Sequence, residues 1–504
     1  MKLKVKLVDV MASAPAVGMD PADCADIGVK ENDRVKLSNG KSEVAVLLLT
    51  SDSYIKRGEV LMPAGVAKRL GVGNGDTVEA VFSPSPESVR SIRKKMDGGI
   101  LTDKEIQGVV NDIYLGSLSG IEVSSWLTAL YINGMNIDEI AAFARAMVDT
   151  GDTIPFDRSP IFDFHSMGGV PGNKITPIVV SIVAAAGLTL PKTSSRAISS
   201  ACGTSDFVET FCNIEVTADR LREIGETVGG AFVWGGSMNI APVDDIVIKI
   251  EHPLGINPRA QMLASIISKK LAIGANYLLV DIPTGSGTKV PTLEDARAYA
   301  RDFMDLGEKL GIHIECAITY ADQPVGSAIG PNLEARECIR ILEGNEHPAS
   351  VIEKACECAG IILEMGGFQN GTEKAREILR SGAAHKKFME IVVAQGGRPD
   401  LKSDDLKPGK YEADVVSSKS GYVHSINNKD IVSIAKALGA PSDKGAGLLL
   451  FKKKGQRVET GEVMFKMFAD NEAKLARAKE LAERYQPVAI EGMLIRRVTA
   501  PQPR

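Results

Sequence analysis

Little in this sequence suits a secreted, membrane-spanning or nucleic-acid-coating protein. Its seven cysteines (Cys24, Cys202, Cys212, Cys316, Cys338, Cys356 and Cys358) are odd in number, dispersed over 504 residues and without paired C-x-x-C motifs. Neither a disulfide framework nor a zinc ribbon is implied, and the thiols are read as reduced. No stretch approaches the roughly 20 apolar residues of a membrane span. The opening MKLKVKLVDV alternates Lys with apolar residues where a secretory signal has an apolar core, so the cytoplasm is the expected compartment. An excess of one charge is also missing: 59 Lys and Arg stand against 64 Asp and Glu, a net −5. Nucleic-acid coating needs clustered basic residues, and no such partner is expected. There is no internal repeat, low-complexity tract, Walker A motif, G-x-G-x-x-G motif or metal-ligand cluster, so neither a metal nor a cofactor is expected.

What is present is an ordinary globular composition, 44% hydrophobic and 24% charged, in a chain longer than the roughly 250–300 residues that one core sustains. The pattern predicts an α/β multidomain fold. A β-rich N-terminal domain spans 1–84, with β-type runs at 2–8, 35–37, 44–49 and 77–82, and ends at Ser83-Pro84-Ser85-Pro86. A helical domain follows at 87–155, with capping-box spacing at Thr102/Glu105 and Asn136/Glu139. It is expected to be rejoined by one long helical stretch at about 240–274. A central α/β domain with a mixed sheet takes 160–238 and 275–408, because β-runs there alternate with helical ones. A C-terminal α+β subdomain, hairpin-rich with a late helix at 471–485, takes 410–504.

The densest chemical signal is DFHSMGGVPGNKITP, Asp163 to Pro177, between a β-type run and an apolar helix. Gly168, Gly169 and Gly172 let backbone amides approach a ligand, and a helix N-terminus favours an anion. Ser166, Lys174 and Thr176 add donors for a phosphate, and His165 is a candidate acid or anion donor. The same pattern also fits a plain tight crossover with an ordinary hydrogen-bonded His.

The HSMGGV core is similar to the phosphate loop of the thymidine and pyrimidine-nucleoside phosphorylase superfamily, and three further segments follow in that superfamily's order. PKTSSRAISSACGTSDFVE (Pro191 to Glu209), IPTGSGTKVPT (Ile282 to Thr292) and QPVGSAIGPNLEARE (Gln323 to Glu337) resemble its later motifs. The resemblance implies a helical domain and an α/β domain whose cleft closes on phosphate and nucleoside, with inorganic phosphate as co-substrate.

Two departures bear on the substrate. Phe164 stands where the nucleoside enzymes carry a phosphate-binding Lys, and Lys174 is the nearest replacement. Lys289 replaces an aromatic residue in TGSGTK, which would supply charge for a 5'-phosphate; the alternative is a solvated surface lysine. Together with the extra N-terminal domain, they resemble the branch acting on nucleoside 5'-monophosphates: AMP, with CMP and UMP. By that resemblance the nucleotide contacts are Gly169, Ser195, Arg196, Ala197, Ile198, Ser199, Ser200, Thr204, Ser265, Lys269 and Lys289. Arg196 is the natural anion ligand, while Thr204 and Asp206 also fit simple N-capping. The N-terminal domain implies a homo-oligomer larger than a dimer.

Asn257-Pro258 reads as the start of a helix that stops at Gly274, with Gln261, Ser265 and Lys269 on one polar stripe. The resemblance puts this helix in the helical domain against the base, with position 257 as proton donor, where the nucleotide-cleaving branch has Asp. Asn has no titratable proton, so a hydrogen bond to the leaving base or helix capping alone remains, and His165, Glu251 or water are the other acid candidates. Three rival readings are a pyrimidine-nucleoside phosphorylase, an anthranilate-phosphoribosyltransferase-like enzyme and a non-catalytic assembly protein.

Overall fold

The computed structural model describes residues 1–9, 15–197 and 200–494, His252 by its backbone alone. The chain divides into two compact units, one of Met1–Asp152 with Ala241–Ser268, the other of Thr153–Ile240 with Lys269–Arg504.

The first unit opens with a closed barrel of β1 (Lys2–Val8), β2 (Ala16–Met19), β3 (Arg34–Ser38), β4 (Glu43–Thr50), β5 (Glu59–Pro63) and β6 (Thr77–Ser83), in the order β1-β5-β2-β4-β3-β6. Alternation turns Leu3, Val5, Val35, Leu37, Leu48, Val60 and Met62 into its core. β2 and β5 are not foreseen from sequence: the four residues of β2 are buried throughout and show no alternation, and the five of β5 are too few to make its alternation conspicuous.

Helices Ser88–Met96, Asp103–Tyr114, Gly120–Asn133 and Ile137–Asp149 follow. Both expected capping boxes form, and a third appears at Ser119/Glu122. Glu139 also accepts from Lys95 at 2.9 Å in a buried pair. The helical stretch at 240–274 is two helices, Pro242–Leu254 and Arg259–Ala272, the second lying where Asn257-Pro258 and Gly274 bound it in the sequence. Gly255 (φ +63°) and Pro258 break it between them.

The second unit is an α/β body. β7 (Phe162–Ser166) and β10 (Tyr277–Thr284) run parallel, as do β10 and β11 (His313–Tyr320), while β8 (Leu190–Ser194) pairs in parallel with β9 (Gly230–Trp234). An isolated bridge from Ile161 to Thr189 joins the two sets. Helix Thr176–Ala185 is apolar on all sides and lies in the core with Phe162, Phe164 and Phe232. Helix Leu293–Leu310 is the crossover between β10 and β11.

The C-terminal part grows from this body through one strand. β12 (Ala328–Ile329), inside the Gln323–Glu337 motif, pairs antiparallel with β15 (Gly447–Leu450), which continues through β17 (Val463–Ala469) to β13 (Tyr411–Val416). β14 (Gly421–Ile426), β16 (Arg457–Val458) and β18 (Val488–Glu491) form a second sheet. Helices Asn428–Leu438 and Glu472–Tyr485 pack on these sheets, the latter capped by Asn471.

Candidate active site

The phosphate loop leaves β7 at Ser166. Gly168, Gly169 and Gly172 have φ of +75°, +83° and +73°, a region that side chains with a Cβ rarely adopt. At Gly172 a methyl group would lie 2.5 Å from the Val325 carbonyl oxygen, so only glycine lets the loop meet the Gln323–Glu337 motif. The loop feeds helix Thr176–Ala185, whose N-terminus has no side-chain cap.

Several expected phosphate donors are already engaged. Lys174 is one of them: its side chain is 0% exposed, with Nζ 2.5 Å from Glu337 Oε2 and 3.0 Å from the Val325 oxygen. It therefore clamps two loops together inside the domain. Ser166 donates its one proton to Asp281 Oδ2 at 2.7 Å and accepts from Asn173 at 3.0 Å. Buried Asp281 also accepts from Thr319 at 2.5 Å and faces Lys354 Nζ at 2.9 Å. Thr176 is buried in the first turn of its helix.

The second wall is the loop after β8. Asp206 Oδ2 accepts from Ala197 N at 2.7 Å and Gly203 N at 2.8 Å, pinning both ends of the loop. Gly203 is the N-cap, so Thr204 does not cap; it is the first residue of a five-residue helix. Arg196 is engaged as well. Its guanidinium lies 2.6 Å from Glu209, 3.4 Å from Glu215 and 3.7 Å from Asp206, and 4.9 Å over the Trp234 ring. Three carboxylates balance its charge and make it a brace of this loop. Ser195 is exposed, and Ala197 and Ser200 are half-buried. Ile198 and Ser199 lie outside the described residues.

The third wall is the Gly285–Lys289 turn after β10. Ser286 N donates to Asp322 at 2.8 Å, and Thr288 Oγ1 to the Gly285 and Val290 oxygens at 2.8 Å each. Lys289 is exposed and its stem meets Gly169, where an added methyl would lie 3.2 Å from Lys289 Cγ.

Beneath these loops lies a cluster that sequence reading misses. Asp163, buried on β7, sits 2.7 Å from Lys270 Nζ and 4.0 Å from Lys192 Nζ, and all three side chains are buried. Lys192 also donates to the Thr193 oxygen. Burial, then the charges of Lys270, Lys192, Lys269 and Lys289, hold the His165 imidazole well below its ordinary pKa. Burial and then Lys270 bring Lys192 down to about 7, against the opposing pull of Asp163. The available signal was a Lys between Pro191 and Thr193 in a short strand, and the second Lys of Lys269-Lys270 in an apolar helix.

In the first unit Asn257 is exposed just ahead of Pro258, and Ser265 is half-buried, its carbonyl accepting from Ser268 Oγ at 3.1 Å. Gln261, on the same polar stripe, is buried and donates to Asp244 at 3.1 Å. Among the described residues, no three His, Cys, Asp or Glu side chains are placed to hold a metal ion, and no helix is long and apolar enough to cross a membrane. The seven cysteines are unpaired thiols.

Comparison with known proteins gives four family matches. Residues 89–151 match the helical bundle domain of a glycosyl transferase family, and 158–385 its a/b domain. Residues 422–489 match a pyrimidine nucleoside phosphorylase C-terminal domain, and 3–91 a molydopterin dinucleotide binding domain. Among curated relatives, AMP phosphorylase of Thermococcus kodakarensis is 47% identical over 99% of both chains. That of Methanosarcina mazei is 46% identical over 99% of this chain and 98% of its own. That of Methanocaldococcus jannaschii is 45% identical over 99% of both. Among solved structures, anthranilate phosphoribosyltransferase from Thermus thermophilus superposes with a TM-score of 0.52 at 21% identity, covering 61% of this chain and 99% of that one. This last likeness is one of fold.

Proposed function

Since the chain belongs to the AMP phosphorylase family and is a pentosyltransferase, we propose that it splits AMP with inorganic phosphate into adenine and ribose 1,5-bisphosphate, and accepts CMP and UMP as well. The observation that carries this reading is the pair of buried ammonium groups, Lys192 and Lys270, set against the single carboxylate of Asp163 on the strand that leads into the glycine loop. A reaction that brings two anionic groups together on one sugar needs such a surplus of positive charge.

Phosphate is itself the nucleophile, attacking the anomeric carbon as the base departs through an oxocarbenium-like state. The protein's work is to hold two anions in line and to stabilise the leaving base. His165, held neutral by burial and then by its cationic neighbours, would serve as a hydrogen-bond donor and not as a store of a proton. Lys289, at the loop tip beside Gly169, holds the 5'-phosphate. Asn257 and Ser265 serve the base, Asn257 through its amide, because it has no proton to lose.

The cytoplasm and a homo-oligomer larger than a dimer belong to the same proposal. Pure protein supplied with AMP and phosphate is expected to release adenine, and to release none when either is omitted. Absence of adenine with both present would overturn the assignment.

A further inference from the structure

The turn that carries Lys289 is held at both backbone groups of one residue. Ser286 N donates to Asp322 Oδ1 at 2.8 Å, on the chain leaving β11, and Ser286 O accepts from Asn428 Nδ2 at 3.1 Å. Asn428 belongs to the C-terminal part, as the first residue of helix Asn428–Leu438. Its Nδ2 donates a second time, to the Ala321 carbonyl at 2.9 Å. One side-chain amide thus ties the turn after β10 to the end of β11.

An asparagine at the start of a helix ordinarily serves through its oxygen, accepting from the free amides of the first turn. Here Asn427 does that work, its Oδ1 accepting from Lys429 N at 3.0 Å and Asp430 N at 3.3 Å. Asn428 is 1% exposed, and among the described residues its Oδ1 accepts no hydrogen bond. Burying an amide with its acceptor idle is unfavourable, so the residue's contribution is its two N–H groups, and both go to carbonyls around this turn. The turn also packs on it: a methyl group on Gly287 would lie 3.3 Å from Asn428 Cβ. Lys289 follows three residues after Ser286, and Thr288 Oγ1, 2.8 Å from both the Gly285 and Val290 oxygens, closes the turn between them. Fixing Ser286 therefore fixes where the Lys289 side chain starts.

We propose that Asn428 is a positioning residue for nucleotide selectivity: from the C-terminal part it fixes the Gly285–Lys289 turn so that Lys289 meets the 5'-phosphate. This rests on the reading of Lys289 given above for its ligand, and on the bonds from Asn428 to Ser286 and Ala321 for its geometry. Without the amide the Ser286 carbonyl is released, and a shift of the turn by about 1 Å is enough to weaken the phosphate contact many-fold.

The test compares wild type with Asn428→Ala in phosphorolysis of AMP and of adenosine at fixed phosphate. The ratio of kcat/KM for AMP to that for adenosine is expected to fall about tenfold. Combined with Lys289→Ala, the ratio stays within about twofold of that of Lys289→Ala alone, because Asn428 acts through that lysine. A merely structural role lowers both substrates together and leaves the ratio within about twofold of wild type, which overturns the proposal, as does a double variant whose losses add. If Asn428→Ala does not fold, Asn428→Ser, which keeps one hydroxyl donor at this position, carries the same expectation. Calorimetric titration with AMP and with adenosine, each without phosphate, separates the proposal from the reading beneath it. A preference for AMP that weakens in the variant without any adenine release defeats the phosphorolysis reading and leaves Asn428 standing. Adenine release with an unaltered preference for AMP in the variant defeats Asn428 alone. No preference for AMP over adenosine in the unmodified protein defeats both.

Discussion

A methyl group built on Gly169 would lie 3.2 Å from Lys289 Cγ, so the tip of the glycine loop packs tightly on the turn after β10 and a side chain at 169 would push the Lys289 stem aside. Gly169 also has φ +83°, where a Cβ costs about 1–2 kcal/mol. Gly169→Ala is therefore expected to lower kcat/KM for AMP by roughly tenfold or more with a small loss in melting temperature. Steady-state kinetics that match wild type would contradict a ligand-facing loop tip.

Lys289→Ala separates nucleotide from nucleoside recognition. Removing one cation from a bound phosphate is expected to reduce kcat/KM for AMP by about tenfold or more and to leave the slower turnover of adenosine nearly unchanged. An equal fall on both substrates would show that Lys289 serves something other than the 5'-phosphate.

The Lys174–Glu337 pair gives a stability prediction. Deleting one partner leaves a buried charge without its counterion, so Lys174→Met and Glu337→Gln should each cost about 3–5 kcal/mol in urea unfolding. Lys174→Met combined with Glu337→Leu should recover part of that loss. Additive costs in the double variant would argue against direct pairing.

Lys192 gives a pH signature in the absence of phosphate. Its folded value of about 7 lies below the ordinary 10.5, so between those limits the unfolded chain binds more protons. Its contribution to stability therefore rises with pH across that window. Below about pH 7 both states carry the proton and the full cost of burying it applies. Lys192→Met should thus stabilise the protein most near pH 6, with an advantage that shrinks toward pH 9. Melting curves across that range check this, and an advantage that grows with pH would refute it.

Local signals in the sequence were legible wherever the physics is local. The capping boxes at Thr102 and Asn136 form as their spacing implies, and Gly168, Gly169 and Gly172 adopt the left-handed backbone that a glycine-rich turn after a strand calls for. What sequence could not sort was which charges face inward. Lys174 lies nearest the glycines in the chain, yet its partner Glu337 is distant in sequence, and no spacing rule announces that pair. Lys192 looks like an ordinary strand residue until the fold sets Asp163 and Lys270 beside it. Gln261 shows the same limit: its helical spacing marks a polar stripe, and only the fold shows that it is buried against Asp244.

The strand pair β12–β15 changes how this protein can be shortened. A change of pattern near residue 410 invites a cut there, to isolate a minimal enzyme. Such a cut would strip Ala328 and Ile329 of their pairing partners, remove the Lys453 that donates to the Pro324 and Gly326 carbonyls, and take Lys444 away from Glu209, the brace of Arg196. The product would have a raw sheet edge and two loops stripped of their braces. The tail is scaffolding for the α/β body, and engineering should trim loops within it before severing it.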